Sequence, residues 1–115
     1  MQYLLTLYSD EAGWGLMTTE QQQQGVAAYA AYTEALRSAG VLVNSNRLRP
    51  SATATTLRTT NGKTKVLDGP FADSKEQLGG YYLIEAPDLD AAMQWAGRCP
   101  GVQHGVVEVR AVWAM

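Results

Sequence analysis

The most chemically loaded stretch of the chain is Asp68-Gly69-Pro70-Phe71-Ala72-Asp73-Ser74-Lys75-Glu76-Gln77-Leu78-Gly79-Gly80-Tyr81-Tyr82. Gly69-Pro70 turns the backbone immediately after a carboxylate, which exposes Asp68 at an element end as a base or substrate anchor. An aspartate in such a turn also serves structurally, by capping nearby backbone N–H groups. Phe71 is expected to anchor this loop in apolar surroundings, and Lys75 and Glu76 to pair with each other or with Asp68. Gly79-Gly80 admits close approach of a neighbouring backbone. His104 is the single histidine and the natural group for proton transfer near neutral pH. The hydroxyls of Tyr8, Tyr81 and Tyr82 suit a phenolic or enolic ligand, although aromatics at such spacings also build cores. These residue types assign Asp68 and His104 as catalytic, with Tyr8, Phe71, Lys75, Glu76, Tyr81 and Arg110 binding substrate. Cys99 stands near a helix end without the electropositive setting of a reactive thiol, and reads as structural.

Composition narrows the classes around these residues. With 115 residues and 46% apolar content, the chain has the size of one domain spanning residues 1–115. Nine Lys+Arg against eleven Asp+Glu give a net charge of −2, which argues against direct nucleic-acid binding. Apolar runs are far shorter than the roughly 20 residues that cross a bilayer. Tyr3 to Tyr8 is too short, and lacks the basic start, to be a secretory leader. One cysteine excludes an internal disulfide and fits a reducing cytoplasm; with one histidine it also excludes a Cys/His zinc site within one chain. No phosphate loop, dinucleotide fingerprint or catalytic serine elbow is present, and Gly79-Gly80 opens a strand rather than a nucleotide-binding helix. No metal and no organic cofactor are expected.

The elements that must position the candidates follow from periodicity. Gln2 to Tyr8 suits a strand covered on both faces, with Tyr3, Leu5 and Leu7 on one side and Leu4, Thr6 and Tyr8 on the other. A loop over 9–17 carries Asp10, Glu11 and a glycine-flanked Trp14, a lid over apolar core or a ligand contact. Thr18 or Thr19 with Gln21 or Gln22 forms a capping box, Glu20 complements the helix dipole, and Val26, Tyr29, Ala30, Thr33 and Leu36 make the buried stripe. Gly40 ends that helix. Val41 to Val43 starts a second strand that gives way near Asn44–Arg49. Threonine-rich 52–60 and the strand after Asn61-Gly62 form a hairpin in which Thr60 faces Lys63, Arg58 faces Lys65 and Leu57 faces Val66. Its charged face is most simply a solvated one that discourages edge pairing, with contact to an anionic ligand as the alternative. Asp68 shares parity with Val66 and should point to the apolar side, where a carboxylate needs partners. Leu78–Glu85 is the next strand. Asp88 caps a helix with Leu89, Ala92, Met93 and Ala96 on one stripe, and His104–Trp113 is the last strand.

The order β-α-β, hairpin, β-α-β predicts an α+β ferredoxin-like sandwich, an antiparallel sheet with two helices on one face. The uncovered face would carry Val106, Glu108, Arg110 and Tyr8 or Leu4, too apolar to stay wet. A homodimer pairing two such faces buries it and encloses a polar-lined cavity, which His104 could border.

The loop from Asp68 to Tyr82, Asp10-Glu11, the helix end Leu36 to Leu42, Ala52 to Thr56, Ala91 to Ala96 with Cys99-Pro100, and Val107 to Arg110 together resemble the YCII-related family, in its branch named for the DGPF sequence. The resemblance spans nearly the whole chain and implies a ferredoxin-like fold dimerising into an α/β barrel. It also implies kinship with cofactor-independent enzymes such as a dehydrochlorinase of a chlorinated hydroquinone. In YCII proteins proper, a histidine on the first helix paired with an aspartate is the proposed acid/base pair; here Tyr29 or a neighbouring alanine falls near its place. The expectation is a cofactor-independent enzyme of lyase, dehydrochlorinase-like or hydrolytic type, acting on a small aromatic or carbonyl-containing molecule near the DGPF loop. The competing expectation is a non-catalytic ligand-binding or protein-interaction module linked to sigma-factor regulation.

Overall fold

Four antiparallel strands form the central sheet. The computed structural model describes residues 1–114. Its elements are β1 (Gln2–Ser9), α1 (Glu11–Leu16), α2 (Thr19–Ser38), β2 (Leu42–Arg47), a 3-10 turn (Ser51–Thr53), β3 (Thr55–Thr60), β4 (Lys63–Asp68), β5 (Gln77–Glu85), α3 (Leu89–Arg98), α4 (Gly101–His104) and β6 (Val106–Ala111). The central sheet, in the spatial order β2-β5-β1-β6, is the ferredoxin-like α+β arrangement, with β3 and β4 inserted in the chain between its second and third strands as a separate two-stranded sheet.

Alternation along β1 and β5 sends Tyr3, Leu5, Tyr82 and Ile84 toward the helices. There they pack with Tyr32 and Leu36 of α2, and with Ala92, Ala96 and Cys99 around α3. The rings of Tyr32 and Tyr82 meet edge to face, centroids 5.2 Å apart, and the Tyr32 hydroxyl donates to the Trp95 carbonyl at 2.8 Å. The small alanines of α3 let that helix approach the sheet closely.

Helix boundaries follow local chemistry. Thr18 caps α2 in a reciprocal box with Gln21, Gly40 leaves it at φ 74°, and Asp88 caps α3 through the Ala91 N–H. The buried stripe of α2 differs from the expected one. Leu36 is buried and Tyr29 and Thr33 are half-buried as expected, but Tyr32 is buried whereas Val26 and Ala30 are exposed, because the helix turns its Tyr32 edge toward α3. Similarly, Leu89 and Met93 of α3 stay exposed while Ala92 and Ala96 are buried.

Three further expectations are corrected. The segment holding Trp14 is the helix α1 rather than a loop; Asp10 caps it by accepting from the Ala12 N–H at 3.0 Å. The strand β2 does not give way at Asn44 but runs to Arg47, since its backbone pairs with β5 through Asn46–Tyr81 and Arg47–Gly80. His104 ends the short helix α4 and the last strand begins only at Val106, the chain after Cys99-Pro100 closing one more turn first.

The hairpin has the expected register: Thr60 opposite Lys63, Arg58 opposite Lys65, Leu57 opposite Val66. Asn61 and Gly62 both take positive φ, 52° and 77°, as a two-residue primed turn demands. Its surroundings are not as expected. All six residues of β4 are exposed, so the Leu57–Val66 side faces no core and Asp68 does not point into one. The hairpin is an arm. It gives the chain a Cα radius of gyration of 16.1 Å, against roughly 13 Å for a compact chain of this length.

Candidate functional site

Between the middle of α2 and the β2–β5 edge of the sheet lies a cavity of about 540 Å³. Its floor is Leu7, Ser45, Arg47, Gly80 and Tyr82; Tyr29 and Thr33 of α2 form the roof, and Glu11 and Trp14 of α1 close the rim. Such a size and a largely apolar lining with a few polar groups are usual for small-molecule sites.

Each wall has a local cause. A Cβ on Gly80 would stand 2.8 Å from the Asn46 carbonyl oxygen, so the close pairing of β2 with β5 requires glycine there and leaves the floor flat beside Arg47. Trp14 lies on α2 where Gly25 leaves room; a Cβ on Gly25 would come within 3.3 Å of the indole. The Trp14 carbonyl accepts from Gln22 Nε2 at 2.8 Å. Above the indole sits the Arg47 guanidinium, its carbon 5.0 Å from the ring centroid. The short helix is tied down by Glu11, whose two carboxylate oxygens accept from the Ser51 N–H and hydroxyl, each at 2.8 Å. The Glu11 N–H donates to Gln77 Oε1.

Inside, the hydroxyls are engaged with one another. Thr33 Oγ1 donates to the Tyr29 carbonyl at 2.8 Å, and its single proton being so used, the Tyr82 hydroxyl donates to Thr33. Burial holds the Tyr29 phenol up at about 12, with Cys99 and Tyr82 adding to the rise and Arg47 opposing it. Burial likewise raises Tyr82 and Cys99. These groups are neutral at physiological pH and are not bases. Arg47 and Glu11 are different: both line the cavity, and Arg47 forms no ion pair among the described residues.

The residues picked out from the sequence fall in three places. Asp68 ends the arm, exposed and opposite Thr55. Phe71 is not anchored in apolar surroundings: it is 73% exposed, with Arg58 5.3 Å from its ring centre, because the arm it flanks packs on nothing. Lys75 and Glu76 are exposed and make no ion pair with each other or with Asp68 among the described residues. Tyr8, Tyr81 and Arg110 belong to the uncovered sheet face. There the Tyr81 hydroxyl accepts from Asn44 and Asn46 at 3.1 and 2.9 Å, and Arg110 reaches Glu108 at 3.5 Å. His104 is exposed on α4. Only Tyr81 of this set also lines the cavity.

Sequence reading passed over Glu11, Arg47 and Ser51. The signals present are the glycine-flanked Trp14 next to an acidic pair, and the polar run Asn44–Arg49, in which the expected strand gives way.

Among the described residues no three His, Cys, Asp or Glu side chains are grouped to hold a metal ion, and no helix is long and apolar enough to cross a membrane. In fold, the chain is similar to a 5-chloro-2-hydroxyhydroquinone dehydrochlorinase from Burkholderia phenoliruptrix AC1100, solved with 2,5-dihydroxybenzoquinone. The two share 16% identity at a TM-score of 0.56, over 98% of this chain and 94% of that one. In sequence, it is 38% identical over 96 residues to an uncharacterised protein of Rhizobium meliloti (strain 1021), covering 84% of this chain and 77% of the relative. The model of the YCII-related domain matches residues 1–115, and the chain belongs to the YCII-related domain family.

Proposed function

We propose that this protein is a cofactor-independent enzyme that performs acid/base chemistry on a small aromatic or carbonyl-containing molecule in the cavity beneath α2. The observation that carries this reading is the cavity itself, with an indole wall and two opposite charges, Arg47 and Glu11, that are not paired with each other. Ser51 takes one lone pair of each Glu11 oxygen, and a carboxylate has about four lone-pair sites. The remaining ones can accept a proton from a ligand hydroxyl or an acidic C–H. Arg47 then stabilises the negative charge left on the substrate oxygen. The quinone held by the dehydrochlorinase of the same fold is a ligand of this general type. Asp68 and His104 stand outside the walls of this cavity in one chain, and their part in the reaction belongs to the test.

The test is turnover of a panel of hydroquinones and enolisable aromatic ketones, followed by absorbance, for the unaltered protein and single variants. Glu11→Gln and Arg47→Gln should each lower kcat/KM by about a hundredfold or more, as loss of a positioned acid/base or charge-stabilising group does. Asp68→Asn and His104→Ala should leave it within a few-fold. If those two variants abolish turnover while Glu11→Gln does not, the chemistry lies elsewhere.

The proposal includes a homodimer. On the uncovered face Leu4, Thr6, Tyr8 and Leu83 are half-buried and Val106 is exposed, an arrangement that a second copy would cover. The arm carries Arg58, Lys63 and Lys65 against Asp68, leaving six cations and ten carboxylates of the nine and eleven for the rest of the chain. An arm reaching a second copy meets charge of opposite sign. Sedimentation at micromolar concentration showing monomer alone would remove this part.

A non-catalytic binding module is the second reading. It is favoured by the hydrogen bonds that already engage the Thr33 and Tyr82 hydroxyls with each other and with the Tyr29 carbonyl, which leaves a site well built for holding a ligand.

A further inference from the structure

The cavity's polar groups are unequal in what they have left to offer, and that inequality specifies a ligand. Tyr82, Thr33 and the Tyr29 carbonyl form a closed relay. Asn46, on the β2 side, donates to Tyr81 across the sheet. Arg47 holds its guanidinium carbon 5.0 Å from the Trp14 ring centroid and forms no ion pair among the described residues, so its forked N–H donors are left to offer an oxygen pair. Glu11 has acceptor sites in excess of its two bonds to Ser51. Flat surfaces lie to either side: the indole of Trp14, and the bare backbone at Gly80, where no side chain larger than hydrogen fits.

From this arrangement we propose that the ligand is a hydroxyaryl carboxylate, its carboxylate on Arg47, its ring against Trp14 and its hydroxyl donating to Glu11. This rests on the reading of the cavity as the ligand site and names the substrate class for it. A carboxylate matches the guanidinium fork in two parallel bonds, which a single carbonyl or phenolic oxygen does not. A lone anion would be repelled by Glu11, and a lone cation by Arg47. A planar molecule with an anionic end and a donor end satisfies both. A cavity of about 540 Å³ holds one substituted ring.

The experiment is calorimetric titration of the full chain with the three hydroxybenzoate isomers, the matching hydroxybenzamides, benzoate and hydroquinone. At least one hydroxybenzoate should bind about tenfold or more tighter than its amide, the low end of what a charge-assisted hydrogen bond contributes. Arg47→Gln should remove that preference, Arg47→Lys should retain part of it, and Glu11→Gln should remove the preference for the hydroxylated acid over benzoate. Equal binding of acid and amide, or a preference unchanged in Arg47→Gln, overturns the inference. Hydroquinone binding without any gain from a carboxylate overturns the substrate class but leaves the cavity as a ligand site. Binding of none of these probes overturns both.

Discussion

The arm of β3 and β4 and the cavity beneath α2 are built on opposite principles. In the arm, partners sit within about a dozen residues of one another along the chain, and Asn61-Gly62 with simple alternation decides who faces whom. It buries almost nothing: Leu57 is 62% and Val66 64% exposed. In the cavity, Glu11 and Trp14 of α1, Tyr29 of α2, Arg47 of β2 and Gly80 of β5 come from four segments of the chain and meet only because the sheet and α2 are already packed. Local rules can specify a pairing without burial. A site needs long-range packing.

The largest expected contrast is in stability. Leu36→Ala, at a fully buried position of α2, should destabilise the protein by about 2–5 kcal/mol. In the arm, Leu57→Ala should cost no more than about 0.5 kcal/mol in a monomer. Denaturant unfolding of both variants measures the difference. A concentration-dependent cost for Leu57→Ala would show that a second copy covers the arm, and would narrow the contrast. Next come the glycines. Gly80→Ala pushes a methyl against the Asn46 carbonyl and should cost about 1–3 kcal/mol and weaken ligand binding. Gly62→Ala, at φ 77° in open space, should cost about 1 kcal/mol and leave binding unchanged.

The gentlest effect is that of alkali. Tyr29, Tyr32 and Tyr82 have raised values in the folded chain, relative to an ordinary 10.0, as does Cys99 relative to 9.0. Burial is the first cause in each. A raised value means the folded state holds its proton more tightly than the unfolded one. The associated stability is intact below pH 9 and is lost as pH rises through the raised values, through about 12 for Tyr29. Unfolding midpoints between pH 7 and 11 should be level and then fall. Because burial is the first cause of these shifts, admitting water to the core with Leu36→Ala should make the loss shallower, and Leu57→Ala should leave it unchanged.

Particular residues show why one region was legible and the other was not. Thr18, Gly40, Asp88 and the Leu57–Val66 pairing were readable because a cap or a primed turn requires a residue type at a fixed offset. The run Asn44–Arg49 reads as the place where a strand gives way because polar residues usually face water. Here Asn44 and Asn46 bond Tyr81, while Arg47 lies on an indole contributed by a helix more than thirty residues away. Likewise Tyr32 rather than Ala30 is buried, since the edge that α2 turns inward depends on where α3 stands.

The sequence by itself determined the α+β class, the caps of α2 and α3, the hairpin register and the family, because each depends on neighbours in the chain or on a motif spanning it. The tertiary structure alone decided that the hairpin stands free, that the Asp68 loop lies apart from the cavity, and that Glu11, Trp14 and Arg47 share one pocket. The physical reason is that a side chain's partner depends on which faces pack together, and periodicity fixes the faces of each element without fixing what covers them.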